Sequence, residues 1–276
     1  LNTLWFIILF TAIGGVLSVL AASVFLLLPD KWQTRVLPHG VSFAIGALLT
    51  GAFCGLLPQA FAETPVAEMP QLSATIMIGI LLFFTLEKLL VWRHCHAQSC
   101  EAHGEDSHHA AHHRHSHNHP SHQAVRPAGL FIILGDSIHN FVDGVLIAAA
   151  FLTDIQLGIV TSLAVAAHEI PQEVGDFAIL LHSGYSKAKA LFYNILSSLA
   201  TVVGGVLAYF SLGSLHGLLP YFLTLAASSF IYIAVADLIP SLHQKTDMKT
   251  SLYQIGFILA GVGLILLMQE IAHRAE

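Results

Sequence analysis

The sequence predicts an all-α membrane protein with eight transmembrane helices and both termini extracytoplasmic. Three observations carry this. Apolar residues make up 55% of the 276 positions and charged residues only 10%, against about 25% in soluble domains, so charge could not cover a soluble fold of this size. Eight apolar stretches each reach the roughly 20 residues that a spanning helix needs. Lys and Arg fall almost wholly in alternate loops, as the positive-inside rule requires. The same composition excludes an ordinary cytosolic enzyme and a disordered chain, and the net charge of −6 argues against nucleic acid as a partner. The 18 histidines outnumber the 11 Lys and Arg. Imidazole is the commonest metal ligand, so metal handling is expected as well.

The elements follow in order. The first span, 3–28, holds the run Leu4–Leu28, too long for a signal peptide and without a small-residue cleavage pattern. The second and third, 38–61 and 71–92, are separated by Pro65 and Pro70, and the fourth, 129–152, opens after Pro127. The fifth, 156–182, contains Pro171 and should kink there. The sixth, seventh and eighth are 188–212, 218–240 and 251–271. Lys31 and Arg35 follow span one; Lys88, Arg93, Arg114 and Arg126 lie at or after span three; Lys187 and Lys189 follow span five; Lys245 and Lys249 follow span seven. Only Arg274 falls on the other side. The chain therefore divides into 1–92 with helices one to three, a cytoplasmic loop 93–127, and 128–276 with helices four to eight. Glu87 and Lys88 read as an interfacial pair, and Asp237 as an interfacial carboxylate near Pro240. Cys54, Cys95 and Cys100 form no disulfide framework.

Eleven of the 18 histidines lie between His94 and His122. The stretch HHAAHHRHSHNHPSH (108–122) has no apolar periodicity and is expected to be disordered. His108, His109, His112, His113, His115, His117 and His119 are its candidate accessory metal ligands.

The chemistry sits elsewhere. The fourth span reads LGDSIHNFVDGVLIAAAF (134–151) and the fifth SLAVAAHEIPQEVGDFAILLH (162–182). A charge at the bilayer centre costs on the order of 3 kcal/mol even on the lenient scale. Asp136, Asp143, Glu169, Glu173 and Asp176 have no Lys or Arg within either span to offset them; a bound cation supplies that counter-charge. His139 and Asp143 are four apart and share a helix face, as do His168 and Gln172. Asn140 lies on the stripe of Asp136 and Asp143, and Glu169 and Glu173 form an adjacent row. Two facing helices could thus present N and O donors to Zn²⁺, Cd²⁺, Fe²⁺ or Mn²⁺, with no thiolate to select Cu⁺. No enzyme cofactor is implied. HEIPQE (168–173) is also close to the H-E-x-x-H motif of zinc metalloproteases, the enzymatic alternative. Here Gln172 stands where the second His would be, and Pro171 interrupts the motif helix. The polar residues also spread over several turns, which suits an ion that must enter and leave.

HNFVDG (139–144) with HEIPQEVGDFAIL (168–180) resembles the signature of the ZIP (Zrt/Irt-like protein) metal transporters. GALLTGAFCGLLPQAF (46–61), FFTLEKLL (83–90) and SSFIYIAVADLIPSL (228–242) are similar to that family's second, third and seventh helices. The resemblance implies eight helices, a homodimer in the lipid bilayer, and transport of Zn²⁺ or a related ion into the cytoplasm by alternating access. It places helices one, four, five and six against a scaffold of the others. It carries His139, Asp143, His168 and Gln172 onto the main site, Asn140, Glu169 and Glu173 onto a flanking site, and Asp136 and Asp176 onto the route. Gln172 departs from the family's usual His. A metal exporter of the cation-diffusion type and a non-transporting sensor are the other readings. Short loops point to a bacterial inner (plasma) membrane.

Overall fold

The computed structural model describes residues 2–95, 126–213, 215–242 and 248–273. Among the described residues there is no strand, which bears out the all-α expectation. In chain order the helices are α1 (Asn2–Ala12), α2 (Ser18–Phe25), α3 (Asp30–Thr50), α4 (Leu57–Ala62), α5 (Met69–Cys95), α6 (Arg126–Thr153), α7 (Ile155–His182), α8 (Lys187–Leu212), α9 (Leu219–Tyr232), α10 (Ile239–Leu242) and α11 (Met248–His273). Wide π-helical turns at Ile13–Leu17, Gly51–Leu56 and Ile233–Leu238 join α1 to α2, α3 to α4 and α9 to α10 into continuous rods.

Seven rods are long and apolar enough to cross a membrane. The eighth, α7, is not among them. Its 28 residues would reach about 42 Å at 1.5 Å per residue, so length is no obstacle. What separates it is the polar set His168, Glu169, Gln172, Glu173 and Asp176. The sequence counts this span among eight apolar stretches, whereas with these polar residues it falls short of the apolarity of the other seven.

Helix ends extend beyond the apolar runs that announced them. The second rod starts at Asp30, not at residue 38, and runs through Pro38. Helix α5 continues to Cys95 and α6 starts at Arg126, so the expected loop 93–127 is shorter by a few residues at each end. Backbone bonds within a helix do not depend on lipid, so a helix can continue into water where its apolar run stops. The histidines 108–119 lie outside the described residues. Pro171 stands inside an unbroken α7.

The outside of the bundle is apolar, and part of its interior is lined by small and polar residues, the reverse of a soluble helix. Helix α8 shows it best. Leu196, Leu199, Val203, Leu207 and Phe210 are exposed, while Asn194, Ser197, Ser198, Thr201, Gly204, Gly205 and Ala208 are buried. That buried stripe packs on α6, the most extensive helix pair in the fold. A Cβ at Gly144 would collide with the Thr201 carbonyl, and one at Gly204 with the Phe141 carbonyl, so the two backbones touch. A second touching pair joins α3 to α11, where Gly46 faces the Ile258 carbonyl and Gly261 the Phe43 carbonyl. Helix α7 lies against α6, α3 and α2.

Candidate metal centre

The i,i+4 spacing read from the sequence sets two donors on one turn of α6. His139 Nε2 and Asp143 Oδ2 are 3.7 Å apart. Helix α7 faces that turn with His168 and Glu169. His168 Nε2 is 3.3 Å from Asp143 Oδ2 and 3.4 Å from His139 Nε2. Glu169 Oε1 is 3.4 Å from His139 Nε2 and 3.6 Å from His168 Nε2. One ligand atom from each of the four lies within 4.8 Å of every other. A tetrahedral zinc site with bonds of about 2.0–2.2 Å has edges of about 3.3–3.6 Å. Four of the five measured separations fall in that range, and the fifth, His139 to Asp143 at 3.7 Å, lies just beyond it.

Electrostatics point the same way. Asp143, Glu169 and Glu173 are buried to within about one per cent of complete, and neither oxygen of any of the three makes a hydrogen bond. The imidazole contacts of Asp143 and Glu169 are close enough to count as ion pairs but lack hydrogen-bond geometry. Orphaned buried carboxylates are costly, and a cation among the four donors would remove that cost for Asp143 and Glu169.

His168 is held for the task. Its Nδ1 is 3.2 Å from the Ala164 carbonyl. A carbonyl only accepts, so this contact requires the proton on Nδ1 and leaves the Nε2 lone pair facing the other donors. Phe230 closes the space behind, its ring edge-on to the imidazole at 6.3 Å. Removing Pro171's N–H leaves the Ala167 carbonyl without its helical donor, one turn from this histidine.

The predicted residues separate into three groups. His139, Asp143, His168 and Glu169 form the compact set. Gln172, Asp136 and Asp176 line a 310 Å³ cavity that also reaches His139. His139 is accordingly 21% exposed while the other three donors stand at 1%. The third group faces α8. Asn140 donates to Asp136 Oδ1 at 2.8 Å and accepts from Thr201 Oγ1 at 2.7 Å. Ser197 Oγ donates to Asp136 Oδ2 at 2.5 Å. The Asn140 oxygen thus ties α6 to α8, while its amide nitrogen bonds back to Asp136 on α6, whose other oxygen is held by Ser197 of α8. Asn140 stands outside the four-atom set. Glu173 is buried further along α7, also outside that set.

Sequence reasoning missed part of the cavity wall. Glu87 and Asp237 both line it, with Tyr232 between α5 and the π turn. Tyr232 donates its hydroxyl proton to Glu87 Oε2 at 2.5 Å, so the exposed Glu87 has a tyrosine partner at the cavity wall. The available signal was a single carboxylate inside each of the apolar runs FFTLEKLL and IAVADL. Away from this cavity, α1 meets α6 through an aromatic cluster. Phe6 and Phe10 stack on Phe151 at 6.2 and 5.4 Å between ring centres, over the fully buried Leu146, Ile147 and Ala150.

Known proteins share this arrangement of sequence. The family model described as ZIP Zinc transporter matches residues 2–269. Metal cation symporter ZIP14 of Mus musculus is 28% identical over 307 aligned positions, covering 90% of this chain and 62% of its own length. Zinc transporter ZIP13 of Homo sapiens is 30% identical over 266, covering 86% and 71%. Zinc transporter foi of Drosophila melanogaster is 41% identical over 164, covering 59% and 23%. The chain thus spans less than two thirds of the length of ZIP14 and less than a quarter of foi.

Proposed function

The chain belongs to the ZIP zinc transporter family, and from that premise we propose that it carries Zn²⁺ or a related divalent ion across a membrane into the cytoplasm. The observation that carries this reading is the four-donor set of His139, Asp143, His168 and Glu169, buried between α6 and α7 and spaced for one tetrahedral ion.

The ion is the substrate. His139 and His168 bind it through neutral nitrogens, and Asp143 and Glu169 neutralise its charge. Three of the donors are sealed and His139 alone borders the cavity, so the ion leaves past His139. Gln172, Asp136, Asp176, Asp237 and Glu87 line that way out. Weak oxygen donors in succession lower the step between the tight site and water. The Phe6, Phe10 and Phe151 stack closes the other end. With α7 counted, the rods make eight crossings, an even number that returns both termini to one side. The basic loops then face the cytoplasm, and the cavity opens at that same end. This state is closed outside and open inside, one half of an alternating-access cycle. The extensive pairs support the division expected from the resemblance: α1, α6, α7 and α8 pack together, and α3 with α11 and α5 with α9 form the frame. A homodimer within the bilayer is the expected assembly.

The test is uptake into liposomes. Protein reconstituted in zinc-free vesicles should accumulate Zn²⁺, and His139→Ala or His168→Ala should abolish accumulation. Wild-type uptake in both variants would falsify the site. Efflux without influx would instead favour an exporter. The protease reading has no comparable support, because the second pair of donors comes from another helix and not from the i+4 position of the HEIPQ motif.

A further inference from the structure

The turn from α7 to α8 encloses a cavity of 360 Å³ that none of the four metal donors lines. Its wall is Ser183, Gly184, Tyr185, Ser186, Lys189 and Tyr193. Among the described residues no carboxylate lines it. The turn is built so that donors are left over. Gly184, at φ +81°, takes the left-handed conformation that closes α7. The Gly184 and Tyr185 N–H groups then reach back to the Leu181 and Leu180 carbonyls at 3.0 and 3.1 Å. Ser186 caps α8: its hydroxyl accepts from the Lys189 N–H at 3.4 Å and its carbonyl from the Ala190 N–H at 2.9 Å. The Lys187 and Ala188 N–H groups of that first turn have no such acceptor among the described residues. Ser183 is only 4% exposed, yet its hydroxyl makes no hydrogen bond among the described residues. The Lys189 ammonium has no ion pair there, and the Tyr185 and Tyr193 hydroxyls have no hydrogen bond. The two tyrosine rings meet edge to face at 5.6 Å between centres, and Tyr185 lies against Gly129 of α6, where a Cβ would come within 2.6 Å of its ring.

We propose that this cavity binds a phosphate group, with Lys189 as its counter-charge, the Ser183, Tyr185 and Tyr193 hydroxyls as its donors and the N-terminus of α8 behind it. The argument is the one-sided chemistry of the wall. An ammonium and a backbone N–H only donate, and three hydroxyls are free to donate. A phosphate accepts from several such donors at once, and hydrogen bonds to its charge are stronger than neutral ones. The buried Ser183 hydroxyl is the decisive member, because a polar group withdrawn from water without a partner is costly. A lipid headgroup and a free phosphate share this chemistry. Lys187 starts a candidate membrane span that runs to Leu212, so the cavity stands at headgroup depth, and the exposed Phe192 and Leu196 continue along α8 beneath it. A bound phosphate ties the end of α7 to the start of α8, with Tyr185 already resting on α6. On the transport reading these helices carry the ion, so the phosphate would stiffen them at the cytoplasmic surface. That consequence rests on the transport reading; the binding does not.

The test uses the full chain in detergent with metal removed by a chelator, so its outcome is separate from that of the metal reading. The protein is titrated with inorganic phosphate, phosphatidic acid or phosphatidylcholine, and adducts are counted by native mass spectrometry. Retention of phosphatidic acid over phosphatidylcholine supports the site and names the lipid as the source. Binding of inorganic phosphate without a lipid preference supports it with the free ion as the source. Lys189→Gln should weaken whichever phosphate binds by about fivefold, the effect of one cation near a membrane surface. Ser183→Ala and Tyr193→Phe should each weaken it by about two- to fivefold, as loss of one hydrogen bond does. Lys187→Gln removes the adjacent lysine, which does not line the cavity, and should change binding by less than about twofold. Equal losses from Lys187→Gln and Lys189→Gln would reduce the effect to general surface charge and overturn the site. So would undiminished binding in Lys189→Gln or Ser183→Ala, or the absence of any preference for phosphate or phosphatidic acid.

Discussion

The α6–α8 and α3–α11 crossings use one packing device for different ends. In each, a glycine on either helix faces a carbonyl of the other, Gly144 and Gly204 in the first pair, Gly46 and Gly261 in the second. Lipid tails are as apolar as leucine, so membrane helices gain little from the hydrophobic effect and associate by such close contact. The α3–α11 seam is filled by apolar groups such as Ala47 and Ile265. The α6–α8 seam adds the Thr201–Asn140–Asp136–Ser197 chain of hydrogen bonds. The difference teaches what close packing alone does not provide. It brings backbones together, but the polar chain also fixes the rotation of α6, and with it the face that presents His139 and Asp143 to α7.

That contrast can be broken from its centre outward. Asp143→Asn removes one of the four donors and the charge that offsets the ion. Zinc affinity by calorimetry should fall by more than about a hundredfold, since even outer-shell partners are worth about 10–100-fold. An unchanged affinity would mean that the polar face of α6 has been assigned to the wrong residues. Next, Gly144→Ala and Gly261→Ala each drive a methyl into a backbone carbonyl and should cost about 1–3 kcal/mol of stability as overpacked sites do, read as loss of melting temperature. The sharper readout is zinc affinity of the folded fraction. It should fall for Gly144→Ala and stay at wild type for Gly261→Ala; equal effects would erase the distinction between the two seams.

Thr201→Val removes only the hydroxyl that holds Asn140. It should cost about 1 kcal/mol in stability, in the range measured for interhelical bonds in membranes, with a smaller loss of zinc affinity than Asp143→Asn. Gln172→His should have the smallest effect on the four-donor site, because Gln172 lies in the adjoining cavity. We expect tighter Zn²⁺ retention there and slower release in stopped-flow efflux from loaded vesicles, an imidazole being a better zinc ligand than an amide. A large change in the equilibrium affinity of the main site would place residue 172 inside it.

Legibility varied with the kind of force involved. The seven apolar rods were readable because bilayer thickness imposes a minimum run of apolar residues. Helix α7 was expected from an apolar run like the others, and its carboxylates without basic partners pointed to a bound cation. The donors His139 and Asp143 were readable as a pair from i,i+4 geometry. That Glu87 and Asp237 border the cavity was not legible, because each is a single carboxylate near the end of an apolar run and nothing local shows that an exposed acid there also lines a cavity. The hydrogen bond from Thr201 on α8 to Asn140 was not legible, because nothing local in the chain tells which neighbour an amide on a helix face will meet.

The sequence by itself determined that this chain is helical and membrane-spanning, and that its ionisable groups concentrate on two helices. Those properties follow from local chemistry: solvation cost, helical period and charge sign act within a single segment. Tertiary structure alone decided which four side chains converge, which carboxylates border the cavity, and that Thr201 of α8 meets Asn140 of α6. These depend on the rotation and closeness of neighbouring helices, set by glycine–carbonyl contacts between Gly144 and Thr201 and between Gly204 and Phe141. Each of those contacts joins positions about sixty residues apart, a distance over which no local pattern in the chain can act.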